Sequence, residues 1–92
     1  MTVQKYLPEI KKILLASLPH AKAFLFGSSV RNATFHDIDI GITGAKDSEL
    51  SSLKEALYEA PIPFKVDIVN FDTADKTFTD YVTRNEKLVW IQ

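Results

Sequence analysis

Asp37 and Asp39 lie in a run, Asp37 to Thr43, in which isoleucine alternates with acid or glycine. That period reads as a β-strand with one buried face. Both carboxylates then leave the opposite face together. Side by side they repel, and desolvation adds to the cost. A hard divalent cation between them reverses the sign. Magnesium takes oxygen ligands, usually one or two carboxylates, and leaves positions for water and substrate phosphate. Asp67 sits inside a second apolar run, Phe64 to Val69, where aspartate is disfavoured. On a neighbouring strand it could complete a set of three, able to hold two cations about 3.5–4 Å apart. Taken singly, the acids have plainer readings: strand ends facing solvent, and for Asp67 an ion pair with Lys65 or a basic helix residue.

Gly27 and Ser28 follow a short apolar run, Ala21 to Phe26. Glycine permits close backbone approach and unusual dihedrals. Amides at such a turn, with the Ser28 hydroxyl, form a cradle for phosphate. Arg31, three residues on, can aim its guanidinium at the same anion. The plainer reading is a strand-to-helix turn with an exposed arginine. The combination is more specific than its parts, because Gly27, Ser28, Arg31, Asp37 and Asp39 fall within one short stretch.

The elements that must position these groups follow from periodicity and punctuation. Tyr6, Ile10, Ile13 and Leu14 recur at helical spacing, with Pro8 in the first turn and Pro19 as the stop. Ala21 to Phe26 and Asp37 to Thr43 read as strands. Leu50, Leu53, Ala56 and Leu57 mark a helix from about Glu49 to Glu59, capped by Asp47 or Ser48. Pro61 and Pro63 separate it from a strand at Phe64 to Val69. Thr73 to Asn85 reads as a helix, with Asn85 as a left-handed cap, and Lys87 to Ile91 as a last strand. The expectation is one α+β domain spanning residues 1–92: a small mixed β-sheet of about four strands, with helices packed mainly on one face. Trp90, Phe24 and Phe26 are read as core, and Tyr6, Tyr58 and Tyr81 as helix-face packing.

With those positions assembled, Phe26-Gly27-Ser28-Ser29-Val30-Arg31 followed by Asp37-Ile38-Asp39-Ile40 resembles the signature of the DNA polymerase beta superfamily of nucleotidyltransferases. The pattern is most similar to the minimal nucleotidyltransferases, small proteins paired with HEPN-domain partners in toxin–antitoxin modules. The resemblance implies a nucleotidyltransferase fold. It implies that Gly27 and Ser28 hold a nucleoside triphosphate and that Arg31 contacts its terminal part. Asp37 and Asp39 would bind two Mg2+ ions. Asp67 would complete the catalytic metal site and help deprotonate the attacking hydroxyl. The implied reaction moves a nucleoside monophosphate, AMP from ATP, to a hydroxyl, and one implied acceptor is a tyrosine of the HEPN partner. Asn32 stands where the family commonly has glycine, and His36 where it often has serine. The segment from Arg31 to Asp37 is about two residues shorter than the family pattern.

Bulk properties narrow the alternatives. Hydrophobic content of 46% and charged content of 25% are ordinary globular usage. No cysteine is present, which removes disulfides, thiolate zinc sites and a cysteine nucleophile. A net charge of −1 is no electrostatic match for nucleic acid. Basic groups dominate residues 1–31 and acidic groups residues 32–64, so the middle suits a cation. No apolar run suggests a membrane span or secretory leader, and the expected location is cytoplasmic. Two other functions compete with the enzyme: a binding module that neutralises a partner with little or no catalysis, and a metal-independent interaction protein.

Overall fold

The computed structural model describes residues 3–32 and 34–92. A short 3-10 helix, Val3–Tyr6, leads into α1, Leu7–Ser17, and β1 follows at Lys22–Phe26. The single-turn α2 is Ser28–Arg31, and β2 is Asp37–Thr43. Then come α3 at Asp47–Glu59, β3 at Lys65–Asn70, α4 at Lys76–Asn85 and β4 at Val89–Trp90. The four strands form one sheet in the order β3-β2-β1-β4. β1 runs antiparallel to both β2 and β4, whereas β2 and β3 are parallel, so the sheet is mixed. The parallel pair requires a crossover, and α3 supplies it.

Alternation divides the sheet into two faces. Ala23, Leu25, Ile38, Ile40 and Ile42 turn to one side and join Ile10, Leu14, Leu50, Leu53 and Leu57 of α1 and α3 in the main core. Phe24, Phe26 and Val82 form a second, smaller core on the other side, beneath α4. Gly41 sits directly across from Phe24, whose ring occupies the space where a side chain would project. The expected α+β architecture is therefore present, with the two long helices α1 and α3 on one face.

Several local expectations need correction. The cap of α3 is Lys46, whose N–H donates to the Glu49 carboxylate at 2.9 Å, rather than Asp47 or Ser48. α4 opens at Asp75, whose side chain accepts the Thr77 N–H at 2.8 Å. Asn85 is the last residue of that helix and not a left-handed cap; Glu86 follows with φ −113°. Trp90 leans on the Phe24 ring at 4.8 Å but remains 55% exposed, because β4 is an edge strand with little to cover its outer face. Tyr58 and Tyr81 project into solvent instead of packing.

Candidate active site

The acids are placed by the register between β2 and β3. Asp39 and Asp67 are direct partners across the parallel pair, and Asp37 is the partner of Lys65. Isoleucines 38 and 40 point into the main core, so all three aspartates and Lys65 leave the other face of the sheet. Asp39 is half-buried and Asp37 is exposed. Lys65 reaches Asp67, Nζ to Oδ1, at 3.5 Å, the ion pair that the sequence allowed.

Gly27 approaches these acids from the end of β1. Its φ of 82° lies in the region that favours glycine. A Cβ there would collide with the Asp39 carboxylate. The sharp turn and the close approach both require glycine, and together they hold the start of α2 against Asp39. Val30 and Arg31 donate their N–H groups to the Gly27 carbonyl at 3.1 and 3.2 Å, which closes the turn. Asn32, read from sequence as able to adopt a left-handed conformation, is extended, with φ −120°. The segment joining α2 to β2 includes Ala33, so its full course, and the comparison of its length, lie outside the described residues. His36 is exposed beside the buried Phe35.

The electrostatics are those of crowded acid. Burial raises the pKa of Asp39 above its ordinary value; the charges of Asp67, Asp37 and Glu86 add to the effect, and Arg31 opposes it. A cation placed among these groups would relieve the repulsion. As the side chains stand, no three histidine, cysteine or acidic residues are gathered closely enough to hold a metal ion among the described residues. The backbone puts the acids on one face, while Lys65 draws Asp67 to itself. The donor set is nonetheless all oxygen on adjacent strands, a chemistry that fits Mg2+.

Sequence reasoning missed Glu86. This residue follows α4, and its Oε1 accepts the Gly27 N–H at 3.1 Å and an Arg31 N–H, from Nη1, at 2.6 Å. Fifty-nine and fifty-five residues separate the partners, and no local pattern announces such a contact. A cleft of about 310 Å³ has Leu25, Val30 and Val89 in its wall, and of the expected site residues only Arg31 borders it.

Comparison with known proteins bears on the family and the fold. The family model described as "Polymerase beta, Nucleotidyltransferase" matches residues 8–92. The chain belongs to the polymerase beta nucleotidyltransferase family. A search of curated proteins found no match. Among solved structures, a chain from the crystal structure of a mutant of the toxin–antitoxin MntA–HpeT is similar, with a TM-score of 0.71 and 24% identity. The match covers 91% of this chain and 71% of that one. At that identity the likeness speaks for the fold. No helix among the described residues is long and apolar enough to cross a membrane.

Proposed function

We propose that this nucleotidyltransferase-family chain is a Mg2+-dependent enzyme that moves a nucleoside monophosphate, AMP from ATP, onto a hydroxyl. We further propose that the acceptor is a tyrosine of a HEPN-domain toxin and that the chain acts as its antitoxin. The observation that carries the enzymatic reading is the direct pairing of Asp39 with Asp67 across β2 and β3, with Gly27 packed on the Asp39 carboxylate. The toxin–antitoxin assignment is supported by the similarity to a chain of MntA–HpeT.

In this reading Asp37, Asp39 and Asp67 hold Mg2+, which when bound supplies charge neutralisation at the phosphates. Gly27 offers its N–H, Ser28 its hydroxyl and Arg31 its guanidinium to the triphosphate. The acceptor oxygen attacks the α-phosphorus, and its proton passes to the Asp67 carboxylate. The bond from the α-phosphorus to the β-bridging oxygen breaks, and pyrophosphate leaves. There is little covalent chemistry for the side chains to perform, so the rate gain comes from orientation and preorganised charge.

The experiment is direct. Protein, Mg2+, α-labelled ATP and the neighbouring-gene partner are mixed, and label on the partner is followed. Transfer is expected with the native chain and not with the Asp37→Asn, Asp39→Asn double variant. Labelling that survives in the double variant sinks the proposal.

One observation favours a second reading, a binding module that neutralises a partner with little or no catalysis. Lys65 and Glu86 occupy groups that substrate or metal would need. If that reading holds, the double variant still neutralises its partner as well as the native chain does.

A further inference from the structure

Glu86 stands at the junction of α4 and β4, where its N–H closes the helix on the Val82 carbonyl at 3.0 Å. Its side chain is 17% exposed, and one oxygen of the carboxylate accepts both the Gly27 amide and the Arg31 guanidinium. These are two of the donors that the reading above gives to a triphosphate. A carboxylate and a phosphate edge present similar anionic oxygens to such donors. The chain thus fills its own anion cradle with an anion of its own.

We infer that Glu86 is a built-in competitor for the phosphate cradle and sets how tightly the site takes a nucleoside triphosphate. This inference rests on the nucleotidyltransferase reading. Binding of the triphosphate requires Glu86 to leave Gly27 and Arg31. The carboxylate cannot stay close by at no cost, because its charge and that of Asp39 already repel each other. It stands at the end of α4 with part of its side chain already at the surface, and the inference requires that side chain to turn outward. The effect is to cancel the charge of Arg31 until an anion with more negative oxygens displaces the carboxylate.

A purely structural tie between α4 and α2 predicts the opposite sign. If Glu86 only positioned Arg31, its loss would loosen the guanidinium and weaken phosphate binding. The sign of the affinity change therefore decides between the two roles.

The test titrates ATP with Mg2+, and separately inorganic tripolyphosphate, into the full chain and into Glu86→Gln and Glu86→Ala at one fixed ionic strength. Calorimetry reads affinity, and amide hydrogen exchange in the ligand-free proteins reads the Gly27 N–H and the integrity of the fold. Both variants are expected to bind ATP roughly tenfold more tightly than the native chain, the scale of one charge-assisted hydrogen bond relieved of competition. The Gly27 amide should exchange faster in Glu86→Ala while core amides keep their protection. Unchanged or weaker ATP binding in variants with intact core protection overturns the inference and leaves the nucleotide reading standing. Tighter tripolyphosphate binding without any ATP binding keeps the competitor and removes the nucleotide. Failure of every form to bind either anion overturns both.

Discussion

Asp39 and Asp67 face each other across two parallel strands, on the sheet face opposite the isoleucine core. Their register makes an unfavourable pairing of like charge, worsened for Asp39 by partial burial. Cross-strand like charges destabilise a sheet. A fold that keeps them has a use for them or tolerates their cost.

Asp39→Asn separates these possibilities. The substitution removes a repelled carboxylate, so the metal-free variant should be more stable than the native chain at neutral pH. Partial exposure screens the repulsion, so the gain should be small. In the proposed reaction the same change should cost on the order of 10²-fold or more in rate. Thermal unfolding in chelator and a labelling time course read the two effects. A variant that is both less stable and fully active would contradict this account.

Added Mg2+ should raise the melting temperature of the native chain in a concentration-dependent way, because a ligand that binds only the folded state stabilises it by mass action. Lys65→Ala should steepen that response, since the Lys65 ammonium otherwise holds the Asp67 carboxylate at 3.5 Å. Differential scanning fluorimetry across a magnesium series reads both. A Lys65→Ala variant with a weaker response would show that the lysine supports the acids instead of competing for them.

Two glycines give a matched contrast. At Gly27 the backbone has φ 82° and any Cβ strikes the Asp39 carboxylate. Gly27→Ala should cost about 1–3 kcal/mol through the strained conformation, and it should also abolish ATP binding in whatever fraction remains folded. At Gly41, two residues along β2 on the same face as Asp39, a Cβ would strike the Phe24 ring and not a carboxylate. Gly41→Ala should cost a similar ~1–3 kcal/mol through overpacking but leave ATP affinity per folded molecule unchanged. Chemical denaturation combined with calorimetry distinguishes them.

The site was legible in the sequence wherever a local rule governed it. The isoleucine alternation of β2 decided the face of Asp37 and Asp39, and the apolar alternation of β3 did the same for Asp67. The glycine after β1 marked the turn. Contacts over long separations were not legible. Glu86 meets Gly27 only because β4 returns beside β1 and carries the end of α4 with it. The residue type of Trp90 predicts core, yet on a two-residue edge strand it has a neighbouring strand on one side only. Asn85 carried the composition of a left-handed cap, but the chain continues directly into Glu86 in an extended conformation, and no left-handed residue was needed.

The start of α3 offers a pH test away from the site. The Lys46 N–H bonded to the Glu49 carboxylate, and then His20 at 3.2 Å, hold the Glu49 pKa below its ordinary value. A depressed carboxylate pKa stabilises the fold above the unfolded-state pKa, and that contribution is lost as pH falls through the folded-state value. Glu49→Gln should therefore be less stable than the native chain at neutral pH, with the difference shrinking as pH drops through the acidic range where Glu49 takes up its proton. The group is partly open to solvent, so the effect will be small, and paired melting curves of the two proteins across that range are the measurement. A gap that stays constant down to the lowest pH would mean that Glu49 contributes through its shape at the helix start and not through its charge.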